Sequence, residues 1–95
     1  MRQYETIYII NPEFEEDAIK ELVDKFKALI EEQGGQVSDI DEWGKRRLAY
    51  PINDHREGYY FLMNFTANPE TAQDLERVYK ITNGLMRYLI IKKEN

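Results

Sequence analysis

Lys45-Arg46-Arg47 follows Trp43 and precedes Tyr50-Pro51, and such a mixture of bases and flat rings suits contacts with phosphates and stacking on nucleobases. Three adjacent bases also occur on ordinary solvated strands, so the run needs support from elsewhere in the chain. Arg2, Arg87, Lys92 and Lys93 supply it if the first and last strands are neighbours, and the cations then form one patch along a sheet edge. Asp39 and Asp41 would share a strand face, yet a divalent cation takes six or more oxygens, and two lone carboxylates read as a solvent-facing pair. His55 is the only histidine. It rules out multi-histidine metal centres and, lying in a polar stretch, reads as an exposed residue rather than a general base. No cysteine is present, and no phosphate-binding glycine loop, zinc-protease pattern or nucleophile elbow occurs. No catalytic residue, metal, cofactor or small-molecule substrate is therefore expected.

The chain has 95 residues, of which 42% are hydrophobic and 33% charged. That is too apolar for disorder, and no stretch approaches the ~20 apolar residues of a membrane span. The length suits a single domain over residues 1–95. The lack of cysteine and of a charged-then-apolar leader predicts cytosolic residence. A net charge of −5 argues against nucleic acid until it is divided along the chain. Residues 13–42 hold eleven acids against three bases, net −8, whereas residues 43–95 hold nine bases against six acids, net +3.

Positioning these groups falls to six elements. Arg2 to Ile10 is dense in Tyr, Thr and Ile at both parities, a strand covered at least partly on both faces. Asn11-Pro12 stops it. Between Glu15 and Gln33, the residues Ile19, Leu22, Val23, Phe26 and Ile30 form one helical stripe, with Gly34-Gly35 supplying a left-handed end. Gln36 to Leu48 reads as a long strand bent at Gly44. Tyr50 to Gly58 reads as a polar loop, and Tyr59 to Phe65 as the returning strand of a hairpin. Asn68-Pro69-Glu70 starts a second helix, with asparagine as capping acceptor. Its stripe is Ala72, Leu75, Val78 and Tyr79, and it ends at Asn83-Gly84 before a last strand from Leu85 to Lys92. Strand, helix, strand, strand, helix, strand is the order of an α+β, ferredoxin-like sandwich: a four-stranded antiparallel sheet with both helices on one face.

Such a sheet leaves its other face open. Side chains alternate across a strand. With Tyr4, Tyr8 and Ile10, with Tyr59, Phe61, Met63 and Phe65, and with Met86, Tyr88 and Ile90 turned to the helices, the open face receives Ile7, Ile9, Tyr60, Leu62, Leu89 and Ile91, rimmed by Arg87 and Lys93. A patch so apolar implies a protein partner or self-association through the same face. The acids of the first helix lie across a layer ~10–12 Å thick. That exceeds the screening length of about 8 Å at physiological salt, so net acidity does not forbid anion binding at the sheet edge. The aromatic signatures of the RNA-recognition module are absent.

The run Trp43-Gly44-Lys45-Arg46-Arg47-Leu48-Ala49-Tyr50-Pro51-Ile52, the opening Met1-Arg2-Gln3-Tyr4-Glu5, the Asn11-Pro12 stop and the closing Arg87-Tyr88-Leu89-Ile90-Ile91-Lys92 together resemble the family of protein six of the bacterial small ribosomal subunit. The likeness spans essentially the whole chain. It implies a ribonucleoprotein constituent of the ribosome that acts in translation. It further implies binding to the central domain of small-subunit ribosomal RNA, as a heterodimer with ribosomal protein eighteen of that subunit. Arg2, Arg46, Arg87 and Lys92 match basic family positions and are the implied RNA contacts, followed by Lys45 and Arg47; Tyr4 is either a support for that edge or a core residue. Two other classes share the fold. A regulatory module holding a metabolite at a dimer interface would carry a glycine-bearing loop after the first strand, and an acylphosphatase-like enzyme an arginine-bearing phosphate loop there. The chain has Asn11-Pro12-Glu13-Phe14 instead.

Overall fold

The computed structural model describes residues 1–52 and 54–93. Six elements follow one another: β1 (Arg2–Ile10), α1 (Glu16–Glu32), β2 (Gln36–Ile52), β3 (His55–Ala67), α2 (Pro69–Ile81) and β4 (Leu85–Lys92). The strands form one antiparallel sheet in the order β2-β3-β1-β4. This is the ferredoxin-like α+β plan, and it makes β1 and β4 neighbours as that plan requires.

The core lies between the helices and one face of the sheet. Tyr4, Tyr8 and Ile10 of β1 and Phe61, Met63, Phe65 and Ala67 of β3 meet Phe26 and Ile30 of α1 and Ala72, Leu75 and Tyr79 of α2. Tyr8 stands at the centre. Its ring stacks on Phe61 at 5.4 Å and meets the edge of Phe26 at 5.0 Å, while Phe26 meets Tyr79 at 4.8 Å. Offset and edge-on pairs of this kind add stabilisation beyond the area they bury. Thr6 is buried beside them; its hydroxyl donates to the Leu89 carbonyl at 2.9 Å and lies 3.2 Å from the Tyr79 hydroxyl. The Tyr8 hydroxyl is buried without a partner among the described residues. Burial raises the pKa of both Tyr8 and Tyr79 well above the ordinary phenol value.

Helix ends follow local chemistry. Gly34, at φ 85°, lets its own N–H reach the Glu31 carbonyl and that of Gly35 reach the Ile30 carbonyl, closing α1 with the two crossed bonds that only a left-handed residue permits. At α2 the expectation was wrong in detail. Asn68 occupies the cap position, but its side chain makes no capping bond, and its backbone carbonyl accepts from Thr71 and Ala72 instead.

The hairpin also differs from the sequence reading. Tyr50 to Gly58 is not a loop: β2 runs on to Ile52, β3 starts at His55, and Ile52 pairs with His55. Asp54, at φ 68°, lies between them. The reason is that β1 ends at Ile10, opposite Tyr59. Residues beyond that point form a two-stranded ribbon that no third strand flanks; among its described side chains Leu48 alone is buried, so it carries no apolar alternation to read. At this same end of the sheet, on the edge strand β4, Leu85 rather than Met86 packs on the core, because the β1–β4 register shifts between Ile9 and Ile10.

Candidate functional site

The face away from the helices is uncovered, and strand register sets its composition row by row. Arg87, Ile9, Tyr60 and Gly44 lie side by side across β4, β1, β3 and β2; the next rows are Leu89, Ile7, Leu62 and Asp41, then Ile91, Glu5, Asn64 and Asp39. The face is thus apolar toward β4 and acidic toward β2. Leu89 is 53% exposed and Ile91 43%; Ile7, Tyr60 and Leu62 are half-buried. Ile7, Tyr60, Arg87 and Leu89 line a shallow depression on this face.

Ile9 corrects the reading. It points to the open side but is only 5% exposed, since its methyl lies where a side chain at position 58 would stand, and Gly58 has none. It forms part of the floor of that depression.

Trp43 joins the face, which the alternation did not reveal. Its ring lies 13° from parallel to that of Tyr60, with centroids 6.1 Å apart, and its indole N–H donates to Asp41 at 2.9 Å. The register slips between Glu42 and Gly44, and Gly44 takes φ 80°. A bulge of this kind re-aims the neighbouring side chain. The glycine beside a tryptophan was the available signal. Asp39 accepts from the Asn64 amide at 3.3 Å, and Asp41 from the Trp43 indole, so both strand carboxylates have local partners. No group of three or more metal-ligating side chains occurs among the described residues.

The cations do not make one patch. Lys45, Arg46 and Arg47 lie on β2, at one edge of the sheet, and Arg87 and Lys92 on β4, at the opposite edge. Arg2 lies near Lys92, because Tyr4 pairs with Lys92 and Arg2 is two residues further along β1. Arg87 lies at the other end of β4, level with Tyr60 and Gly44. β2 and β4 flank the sheet on opposite sides, and this separates what the sequence reading placed on one edge. All six are exposed, and none enters an ion pair among the described residues. Lys45 sits 5.4 Å from the Tyr59 ring centre, and the Arg46 Nε donates to the Trp43 carbonyl at 3.0 Å. Tyr4 is buried and stacked on Phe65, a core residue.

Comparison with known proteins gives this geometry a family. The profile of a family described as Ribosomal protein S6 matches residues 3–92. The chain belongs to the ribosomal protein S6 family. It is 54% identical over 94 residues to the small ribosomal subunit protein bS6 of Clostridium novyi, covering 99% of each chain. Identity is 53% over 95 residues to that of Caldanaerobacter subterraneus subsp. tengcongensis, covering both chains entirely. The crystal structure of 30S ribosomal protein S6 from Thermotoga maritima superposes with a TM-score of 0.91 at 31% identity, covering 97% of this chain and 87% of that one. Membership in the S6 family makes the chain a small-subunit ribosomal protein of the cytoplasmic ribosome, and not an enzyme.

Proposed function

We propose that this chain binds the central domain of small-subunit ribosomal RNA cooperatively, as a heterodimer with ribosomal protein eighteen. The observation that carries the reading is the uncovered sheet face, with Leu89 and Ile91 about half exposed beside Ile7, Tyr60, Leu62 and Trp43. An exposed apolar patch of this kind marks an interaction surface. The partner's character follows from charge. Asp39 and Asp41 line the β2 side of the face, so a basic protein fits it.

Arg2, Lys45, Arg46, Arg47, Arg87 and Lys92 are the phosphate contacts in this reading. Arg46 is held by the Trp43 carbonyl through Nε, which leaves its terminal nitrogens free for an anion. The cations fall into separate groups on a chain of net charge −5, so alone they release few counterions and hold RNA weakly. A basic partner adds its own, and the linked pair gains affinity that neither has separately.

Recovery of the chain from cells at mild salt tests this. The expected companions are small subunits with their RNA and ribosomal protein eighteen. Recovery free of RNA and of that protein would contradict the proposal.

A further inference from the structure

The two edges of the sheet are built differently. β2 carries the features that keep an edge from pairing: a glycine bulge, two further register shifts, Pro51, and charges at Asp39, Asp41, Glu42, Lys45, Arg46 and Arg47. β4 reads Leu85-Met86-Arg87-Tyr88-Leu89-Ile90-Ile91-Lys92, with neither proline nor glycine and only two charges. Its pairing with β1 is regular from Tyr4–Lys92 to Ile9–Arg87. An apolar, regular outer strand without such guards is a template for another strand.

Two hydrogen bonds fix which backbone groups it offers. The Lys93 N–H donates to the Gln3 carbonyl at 2.8 Å, and the Leu89 carbonyl accepts from the Thr6 hydroxyl. Both atoms face β1. In an antiparallel ladder the bonding direction alternates residue by residue, so Leu89 and Ile91 turn their N–H and C=O groups inward, and Tyr88 and Ile90 turn theirs outward. Among the described residues nothing bonds to those outward groups, because β4 pairs with β1 alone. The side chains of Leu89 and Ile91 meanwhile stand on the open face next to this edge.

We infer that the β4 edge receives an extended segment of the partner protein as a fifth strand, bonded to the backbone of Tyr88 and Ile90. This rests on the heterodimer reading above and specifies how its partner engages. One element then serves both needs: the added backbone satisfies the outward N–H and C=O groups, and its alternate side chains cover Leu89 and Ile91. The edge and the face are continuous, so a partner that covers the face reaches the edge.

Amide hydrogen exchange, followed by NMR on the full chain alone and in complex with ribosomal protein eighteen, tests the inference. The Tyr88 and Ile90 amides should exchange quickly in the free chain and slow about tenfold or more in the complex, while those of Leu89 and Ile91 are protected in both. If the methyl signals of Leu62, Leu89 and Ile91 shift on binding but the Tyr88 and Ile90 amides stay unprotected, the strand addition is overturned and the docking face survives. If neither set responds, the docking face falls and the inference with it. Protection that appears without partner and grows with chain concentration would assign the edge to a second copy and also overturn the inference.

Discussion

Replacing Leu89 and Ile91 together by alanine perturbs the proposed partner surface with little cost to the fold. Leu89 is 53% and Ile91 43% exposed in the isolated chain, so about half of each side chain is still available for burial. Full burial of such a side chain contributes about 1.5–3 kcal/mol, and the two remaining halves therefore about 1.5–3 kcal/mol together. Alanine forfeits most of that amount, which corresponds to a loss of roughly 10- to 150-fold in affinity for ribosomal protein eighteen. Titration calorimetry of the double variant against the partner reads the loss, and urea unfolding of the same variant reads the monomer. Its stability should fall by less than the binding energy, because these side chains have no place in the core cluster. Partner affinity within twofold of the parent, on a folded variant, would refute the assignment of this face.

The other predictions concern the cations and the buried phenols. Arg46→Ala should weaken RNA binding by the heterodimer and reduce the slope of log affinity against log salt by about 1; an unchanged slope would show that Arg46 touches no phosphate. Tyr8→Phe removes a buried hydroxyl without a partner and should leave stability equal or raise it by about 1 kcal/mol, whereas Tyr79→Phe breaks the contact with Thr6 and should lower it by about 1 kcal/mol. Urea midpoints decide this, and a clear loss in Tyr8→Phe would mean that its hydroxyl is satisfied. Both phenols have folded values raised by burial above the unfolded value of about 10. The unfolded chain then sheds protons first, so stability is fully present below pH ~10 and falls above it by up to about 1.4 kcal/mol per pH unit for each tyrosine. Tyr8→Phe should halve that alkaline slope, and an equal slope in parent and variant would contradict the shared cause.

Much of the fold was legible because its signals are local and repeated. The stripe Ile19, Leu22, Val23, Phe26 and Ile30 packs as its spacing requires, and the parity of Tyr4, Tyr8 and Ile10 assigned the core face of β1 correctly. What escaped the sequence reading depends on groups that alternation does not record. The ribbon beyond Tyr59 has no neighbouring strand on either side, so its residues show no apolar period and read as a loop. The bulge at Gly44 moved Trp43 onto the open face, and the bare backbone of Gly58 let Ile9 sink into the floor of that face. The cations are exposed but do not share one edge, because sequence proximity of Lys45, Arg46 and Arg47 says nothing of which sheet edge carries them. Only the strand order β2-β3-β1-β4 separates them from Arg87 and Lys92.

Affinity for the central-domain RNA, measured at fixed salt for the chain alone and again with equimolar ribosomal protein eighteen, tests the account most directly. The account predicts weak binding by the chain alone and a large gain when the partner is added, with the gain diminished by the Leu89→Ala, Ile91→Ala double variant. Equal affinity with and without the partner would contradict it.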